Sequence, residues 1–278
     1  MRLGGPLLTE YATPEEWVRL LKESGYSAAY CPVGLKAETA LVRAYREAAR
    51  KHNLVIGEVG AWSNPLSSNS EESKKAREKC IQSLALAEEI GACCCVNISG
   101  SRGETWDGHH PLNLTKETFE LIVEVVRQII DAVKPVRTCY TLETMPWMYP
   151  DSTESYQALL RAIDRKAFAV HFDPTNLINS PWRYYHSGQM IREFIQQLGP
   201  YIRSCHAKDI IMGQKLTLHL KETRPGLGQL DYAVFLKELN KLGPDMPLML
   251  EHLPTRQAYH QAASYIWKTA RQNGVFIH

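Results

Sequence analysis

Four residues that commonly bind metal ions stand at the ends of four successive apolar runs in the second half of the chain. Glu143 follows RTCYTL, Asp173 follows AFAVHF, His206 follows IRSC and Glu251 follows PLML. Three carboxylates and one imidazole suit a divalent cation such as Mn²⁺, Co²⁺ or Mg²⁺, and they leave coordination positions for water and substrate oxygens. A single polar residue at a strand end is ordinary. Four in succession predict a metal site, provided that the fold brings the ends of these runs together.

Short apolar runs with strand-like composition recur along the whole chain, at 2–8, 27–33, 54–60, 92–98, 137–143, 167–173, 202–207 and 247–252. Segments with helical periodicity separate many of them, at 14–24, 38–52, 71–90, 115–133, 153–164 and 257–272. Strands and helices therefore alternate. Near-continuous apolar strands separated by helices are typical of a parallel sheet covered by helices, because each parallel crossover needs a dozen or more residues.

Two α/β folds fit this alternation, a closed (β/α)8 TIM barrel and an open doubly wound sheet. The open dinucleotide-binding sheet requires a G-x-G-x-x-G turn after its first strand, whereas LLTEYATPEEW follows here and contains no glycine. The GLG at 226–228 is expected to shape a loop that leads into a helix from Leu230. Eight units of about 35 residues, with no linker, favour a single TIM-barrel domain over residues 1–278. A barrel gathers the carboxyl ends of its strands at one rim, where the four candidate ligands would meet.

The composition excludes several classes of protein. The chain has 278 residues, of which 44% are hydrophobic and 22% charged, with a net charge of +2, so it is neither disordered nor a small disulfide framework. Its seven cysteines include three in succession and form no CxxC pair, which favours a reducing compartment and packing of thiols in a buried strand. No apolar run approaches the ~20 residues of a membrane span, and basic residues are scattered. We expect a cytoplasmic protein with no membrane or nucleic-acid partner. The sequence leaves open whether the protein forms a homo-oligomer, either a dimer or a tetramer.

The four strand-end residues carry a resemblance to a known superfamily. With Glu143 in LETMPW, Asp173 in HFDPTN, His206 in SCHAKD and Glu251 in LMLEHL, the chain resembles the xylose-isomerase-like TIM barrels, which include ketose 3-epimerases and inosose-processing enzymes, over essentially its whole length. The resemblance implies that these four residues bind one divalent metal ion. Mn²⁺ is the first expectation, with Co²⁺, Mg²⁺ or Zn²⁺ as alternatives. The resemblance also implies that the two glutamates exchange the proton on the substrate.

Two positions depart from the ketose 3-epimerase pattern. The histidine that those enzymes carry three residues beyond the aspartate ligand is Asn176 here, and the accessory glutamate six residues beyond the first ligand is Tyr149. An asparagine can orient a substrate hydroxyl, but it does not transfer protons as histidine does. We therefore predict that Asn176 binds substrate, and we leave open which ketone that substrate is.

Two further residues beyond the seventh run are candidates for substrate contacts. Lys208 follows His206 closely enough to hold a substrate oxygen, or it forms a structural ion pair with Asp209 at the strand end. The segment KLTLHLKE at 215–222 alternates apolar and polar residues, with His219 on the polar face. If that face looks into the barrel mouth, His219 is a second acid or base. Otherwise the segment is a solvated hairpin.

Aromatic residues cluster just after the predicted strands. Trp62, Trp106, Trp147 and Trp182 follow the third to sixth runs, and Asn97 lies within the fourth. Indole rings at a barrel mouth either stack on the apolar face of a sugar or seal a subunit interface. We predict substrate contacts for Trp62, Trp106, Trp147 and Asn97, although an isolated asparagine beside a loop is often only a turn residue.

These observations lead to an expected function and two alternatives. The expected protein is a metal-dependent isomerase or epimerase acting on a small keto-sugar or polyol-derived ketone, in which Glu143 and Glu251 remove and return a proton through an enediolate. The first alternative is a lyase or dehydratase acting on a keto-sugar or a 3-dehydroshikimate-like substrate. The second is a sugar-binding barrel without catalysis, which the complete set of four ligands disfavours.

Overall fold

Eight parallel strands close into a barrel in the computed structural model, which describes residues 1–278. The ten strands of the chain are β1 Arg2–Gly4, β2 Ala28–Tyr30, β3 Val55–Gly60, β4 Cys94–Asn97, β5 Cys139–Glu143, β6 Phe168–Phe172, β7 Ile202–Ala207, β8 Asp209–Met212, β9 Leu220–Thr223 and β10 Pro247–Leu250. The barrel contains β1 to β7 and β10, and β1 closes it by pairing with both β2 and β10. The predicted (β/α)8 barrel is confirmed.

Helices cover the barrel from outside. They are α1 Pro14–Glu23, α2 Thr39–Lys51, α3 Ser70–Ile90, α4 Lys116–Val133, α5 Thr153–Ile163, α6 Pro181–Tyr185, α7 Ser187–Leu198, α8 Tyr232–Asn240 and α9 Arg256–Gln272. Side chains cap the starts of several helices; Thr13, Asn69 and Thr115, for example, each accept a hydrogen bond from the first turn. No helix combines the length and the apolar character that a membrane crossing requires.

The main hydrophobic core lies between the strands and the surrounding helices. Phe172 on β6 stacks on Phe194 of α7 with ring centroids 4.1 Å apart, and Phe235 of α8 meets Phe172 edge-on. Cys94 and Cys95 are fully buried in β4, and all seven cysteines are free thiols. This arrangement agrees with the interpretation of the consecutive cysteines as packing residues.

Residues two apart on a strand share a face, so the inward faces of β6 and β7 present polar groups at successive levels of the barrel. On β7, Ser204 lies below His206, and on the neighbouring strand His171 lies below Asp173, the residue that follows β6. Register pairs Glu143 with His171 across β5 and β6. The upper part of the barrel interior therefore carries the candidate ligands, and a second polar level lies beneath them.

Outside the barrel, β8 and β9 form an antiparallel hairpin after β7, and the segment from this hairpin to α8 is anchored by Asp209. Its Oδ1 accepts hydrogen bonds from the backbone N–H of Ile210 and Leu230, both at 2.9 Å, and its Oδ2 from those of Gly226 and Gly228, both at 3.0 Å. A Cβ at Gly228 would lie 2.2 Å from Asp209 Oδ1. Glycine is required there by close approach, and the GLG loop leads into α8 as expected, although this helix begins at Tyr232 and not at Leu230.

Candidate metal centre and active site

The structure brings together the four strand-end residues. His206 Nδ1 lies 2.8 Å from Glu251 Oε1, 3.0 Å from Glu143 Oε1 and 3.8 Å from Asp173 Oδ2. One ligand atom from each of the four lies within 4.8 Å of the others. Glu143 and His206 belong to β5 and β7, whereas Asp173 and Glu251 directly follow β6 and β10. These four strands are consecutive neighbours in the barrel, so the two glutamates stand at the two ends of this run of strands.

Lys208 places a positive charge among these carboxylates. Its Nζ lies 2.6 Å from Asp173 Oδ2, 2.6 Å from Glu251 Oε1 and 3.6 Å from Glu143 Oε1. The side chain is buried, and its aliphatic stem continues the inward face of β7 above His206. The ion pair between Lys208 and Asp209, the alternative to a substrate contact, does not form, because the Asp209 carboxylate accepts hydrogen bonds from backbone N–H groups instead.

The titratable groups of the site shift one another strongly. Burial by itself raises the pKa of each acid, and for Glu143 it prevails over the nearby cations, so the pKa of Glu143 lies above its ordinary value. For Asp173 and for Glu251, burial is the largest single influence, but Lys208 and His206 together outweigh it, and both carboxyl pKa values fall well below the usual range. Burial opposes the charged form of His206, yet the surrounding carboxylates raise its pKa.

The donor set fits a divalent cation. Asp173 Oδ2 and Glu251 Oε1 are buried oxygens that complete no hydrogen bond with a protein donor, although Lys208 Nζ and His206 Nδ1 lie close to them. Buried carboxylate oxygens without hydrogen-bond partners are expensive unless a cation compensates them. Oxygen and imidazole donors of this kind suit Mn²⁺, Mg²⁺ or Co²⁺.

Asn176 supports two of the acidic residues. Its Nδ2 donates to Glu143 Oε1 at 3.1 Å, and its backbone N–H donates to Asp173 Oδ1 at 3.2 Å, together with the N–H of Thr175 at 2.9 Å. Asp173 is thereby fixed through Oδ1, which leaves Oδ2 directed at the cluster. The asparagine thus orients ligands, and it also lines the cavity described next.

A cavity of about 500 Å³ opens above the cluster at the carboxyl ends of the strands. Charged residues form the floor of the cavity, and apolar residues contribute to its walls. The full lining consists of Pro6, Tyr30, Trp62, Ile98, Trp106, Asp107, Glu143, Met145, Asn176, Lys208, Glu251 and His252. The Trp62 ring lies 6.3 Å from the His206 ring, centroid to centroid, and Trp106 is 40% exposed. Predicted substrate contacts Trp62, Trp106, Asn176 and Lys208 all border this space.

Three other predicted substrate contacts lie outside the cavity lining. Asn97 is fully buried: its Oδ1 accepts from the Ser63 N–H at 3.1 Å and its Nδ2 donates to Cys80 Sγ at 3.3 Å. Trp147 donates from Nε1 to the Asp107 carbonyl at 2.8 Å, which ties the loop after β5 to the loop after β4. These two residues position loops around the cavity and do not face it.

His219 is the third, and it lies at the exposed turn of the β8–β9 hairpin. Side chains alternate in direction along an extended segment, so Glu222 and His219, three residues apart, point to opposite sides. Glu222 of β9 reaches the site, with its Oε2 3.7 Å from Lys208 Nζ. The face of the segment that carries His219 therefore looks away from the barrel mouth. The structure places His219 on the exposed side of this hairpin and outside the cavity lining.

Sequence reasoning missed several residues of the site. Glu222 and His252 meet above Lys208, with His252 Nδ1 3.2 Å from both Glu222 carboxylate oxygens. Beneath His206 lies Glu58 of β3, only 1% exposed, which pairs with His206 and His171. A glutamate inside the apolar run VIGEVG was the available signal, because charged residues are rarely buried without a partner.

The matching family model is described as xylose isomerase-like TIM barrel, and it aligns with residues 18–269. The chain therefore belongs to this family, and the resemblance drawn from the sequence is confirmed. No curated protein matches the chain at a significant level.

Solved structures with the same fold cover nearly the whole chain. D-psicose 3-epimerase with D-tagatose from Clostridium cellulolyticum H10 aligns with a TM-score of 0.70 and 13% identity, covering 99% of this chain and 100% of that one. The probable 3-DHS dehydratase AsbF from Bacillus anthracis gives 0.69 and 17%, covering 95% of each. A xylose isomerase-like TIM barrel protein from Mycobacterium smegmatis in complex with magnesium gives 0.66 and 17%, covering 94% of this chain and 90% of that one. At these identities the likeness establishes the fold.

Proposed function

We propose that the protein is a divalent-metal-dependent isomerase or epimerase acting on a small keto-sugar or a polyol-derived ketone. One observation carries the proposal: Glu143, Asp173, His206 and Glu251 converge on the floor of a cavity large enough for a small molecule. Membership of a family whose fold is shared by sugar epimerases supports it. We expect the reaction to take place in this cavity.

The four converging residues would hold one cation, with Mn²⁺ the first candidate and Co²⁺, Mg²⁺ or Zn²⁺ the alternatives. A bound divalent cation supplies positive charge that stabilises the negative charge developing on the oxygens of an enolising ketone. Asp173 is suited to a ligand role because backbone amides fix its other oxygen. The magnesium complex of a structure with the same fold is compatible with this choice.

Glu143 and Glu251 would move the proton. One carboxylate accepts the proton from the carbon beside the ketone, and the electron pair of that C–H bond passes into an enediolate. The other glutamate, as a carboxylic acid, donates a proton to the opposite face of the same carbon, or a neighbouring carbon is reprotonated in an isomerase. Their positions at the two ends of the β5, β6, β7, β10 run support action from two sides of a substrate lying between them.

The cavity walls suit a carbohydrate. Trp62 and Trp106 present indole surface to the space, and such rings pack well against the C–H face of a sugar. Asn176 and Lys208 supply donors for hydroxyl or carbonyl oxygens at the floor. The resulting contacts are apolar on the walls and charged below, which suits a small polyhydroxy ketone.

A dehydratase is the second candidate, and Lys208 is the observation that favours it. Its buried ammonium is close to Glu251 and could give a proton to a departing hydroxyl group. A carboxylate would take the carbon-bound proton, the C–O bond would break, and water would leave as a C=C bond forms. A keto-sugar or a 3-dehydroshikimate-like compound is the substrate class for this reaction.

Solvent exchange distinguishes these reactions. The protein loaded with Mn²⁺ is incubated in D₂O with ketoses, inososes, 3-keto-glycosides and 3-dehydroshikimate, and products are followed by NMR. We expect deuterium at one carbon of an epimer or isomer; an unsaturated product identifies the dehydratase. Glu143→Gln and Glu251→Gln should abolish incorporation. Glu47→Gln, on the exposed face of α2 beside Arg50, is the matched control and should leave it unchanged. Metal binding without exchange in any compound would contradict the enzymatic proposal and favour a binding protein.

A further inference from the structure

We infer that Glu58 is a positioning residue that holds the proton of His206 on Nε2, so that Nδ1 is presented to the metal site. The inference deepens the proposed function, on which its metal-binding consequence rests. Glu58 does not border the cavity and comes from β3, on the other side of the barrel from β7. Its role therefore has to be explained by its contacts below the cluster.

The Glu58 carboxylate is surrounded by three side-chain partners. Its Oε2 lies 3.2 Å from His206 Nε2, and its Oε1 lies 3.0 Å from His171 Nε2. Ser204 Oγ donates to the same Oε1. All four side chains are fully buried, and the two histidine rings meet edge-on with centroids 4.2 Å apart. No lysine or arginine takes part, so the charge of Glu58 is compensated by these donors alone.

An ionised carboxylate has only acceptor sites, and it therefore selects donors around it. Facing Glu58, the Nε2 atom of His206 has to carry hydrogen. The opposite ring atom, Nδ1, faces Glu143 and Glu251 and can then offer its lone pair to a cation. A hydrogen bond from the far nitrogen of a ligating histidine to a carboxylate fixes the ring and increases its basicity.

The surroundings of Glu58 also argue against a purely structural role. A buried carboxylate costs free energy that an apolar side chain in the same place would not, so packing alone does not explain a glutamate at this position. The remaining nitrogen of the neighbouring ring, His171 Nδ1, has no hydrogen-bond partner. His171 is thus directed at Glu58 alone, and the network converges on Glu58 and, through it, on His206.

The test measures the proton and the metal separately. Protein labelled with ¹⁵N-histidine reports which ring nitrogen of His206 is protonated, without metal and with Mg²⁺ or Zn²⁺. In the native protein we expect a proton on His206 Nε2 in both states. In Glu58→Met we expect this proton to be lost from Nε2 or to exchange with solvent. Titration calorimetry with Mn²⁺ should show affinity lower by about ten- to a hundredfold in Glu58→Met. Glu58→Gln should give a smaller loss, because an amide oxygen still accepts but carries no charge.

Ser204→Ala is the matched control, since it removes another partner of Glu58 and leaves the His206 contact in place; its Mn²⁺ affinity should stay within about threefold of the native value. Circular dichroism and thermal unfolding in chelator verify that each variant folds. An Nε2 without a proton in the native protein, or native affinity in a folded Glu58→Met, would overturn the inference. If the native protein takes up no divalent cation, the proposed function fails, while the Nε2 proton of the metal-free protein still decides the role of Glu58.

Discussion

Lys208 Nζ lies 2.6 Å from Glu251 Oε1, so an ammonium group sits against an oxygen that we assign to a divalent cation. The same Nζ lies 2.6 Å from Asp173 Oδ2. An ion that binds both oxygens has to displace this ammonium or tolerate it nearby, and two like charges at such distances repel strongly. In the proposed reaction the ammonium is then available for a substrate oxygen.

Replacing Lys208 should strengthen metal binding and weaken catalysis. In Lys208→Met the carboxylates lose their competing cation, and we expect Mn²⁺ affinity to rise by about tenfold or more. Turnover should fall by about a hundredfold, because a group that binds substrate or protonates a leaving oxygen is gone. Calorimetry and steady-state kinetics measure the two effects. A variant that binds Mn²⁺ more weakly than the native protein would show that Lys208 assists the ion.

Asn176 should affect proton transfer without controlling metal occupancy. Asn176→Ala removes the donor to Glu143 Oε1, while the backbone amide that fixes Asp173 remains. We expect about one bound metal ion per chain, as in the native protein, and deuterium exchange slower by about tenfold, the effect of losing one hydrogen bond to a charged group. Loss of the metal itself would contradict this prediction, because it would mean that the ion needs the Asn176 side chain to hold Glu143 in place.

In the β8–β9 hairpin, substitution of Glu222 should impair activity, and substitution of His219 should not. Glu222 contacts His252 and approaches Lys208, whereas His219 is exposed at the turn. Glu222→Gln should raise KM or lower kcat by about fivefold, as expected for loss of a partly exposed charged contact. His219→Ala should stay within about twofold. A larger effect of His219→Ala would restore it as a candidate acid or base.

The tryptophans offer a second matched pair. Trp106 borders the cavity, and Trp182 on α6 is 53% exposed and does not border it. Trp106→Ala should raise KM by about tenfold through loss of stacking on the sugar, and Trp182→Ala should leave KM within about twofold. Equal effects would indicate that the exposed aromatic residues act through assembly, which sedimentation of both variants would reveal.

Asp209 should matter for stability more than any surface ion pair. Asp209→Ala leaves several backbone N–H groups without an acceptor, and we expect unfolding free energy to fall by about 3 kcal/mol or more. Asp131→Ala, which removes a surface pair with Arg165, should lower the free energy of unfolding far less, because solvent screens an exposed ion pair. Denaturant unfolding of the metal-free variants compares them. Equal losses would show that water replaces the Asp209 contacts.

The sequence allowed the barrel and the four strand-end residues to be predicted, because the geometry of a parallel barrel gathers strand ends at one rim. The direction of side chains at the strand ends and beyond them was harder to predict. Asn97 turned away from the cavity, and the face of the hairpin followed the register of β9, which alternation alone does not fix. Glu58 was missed because its partners, such as His206, lie far along the chain and only barrel closure brings them together.

The metal content of the purified protein tests the central claim most directly. After dialysis against Mn²⁺ and removal of free ion, elemental analysis should find one Mn²⁺ per chain in the native protein and none above background in an Asp173→Asn, Glu251→Gln double variant. Co²⁺ should occupy the same site. No bound divalent metal in the native protein, with no proton exchange restored by added Mn²⁺ or Co²⁺, would contradict the account.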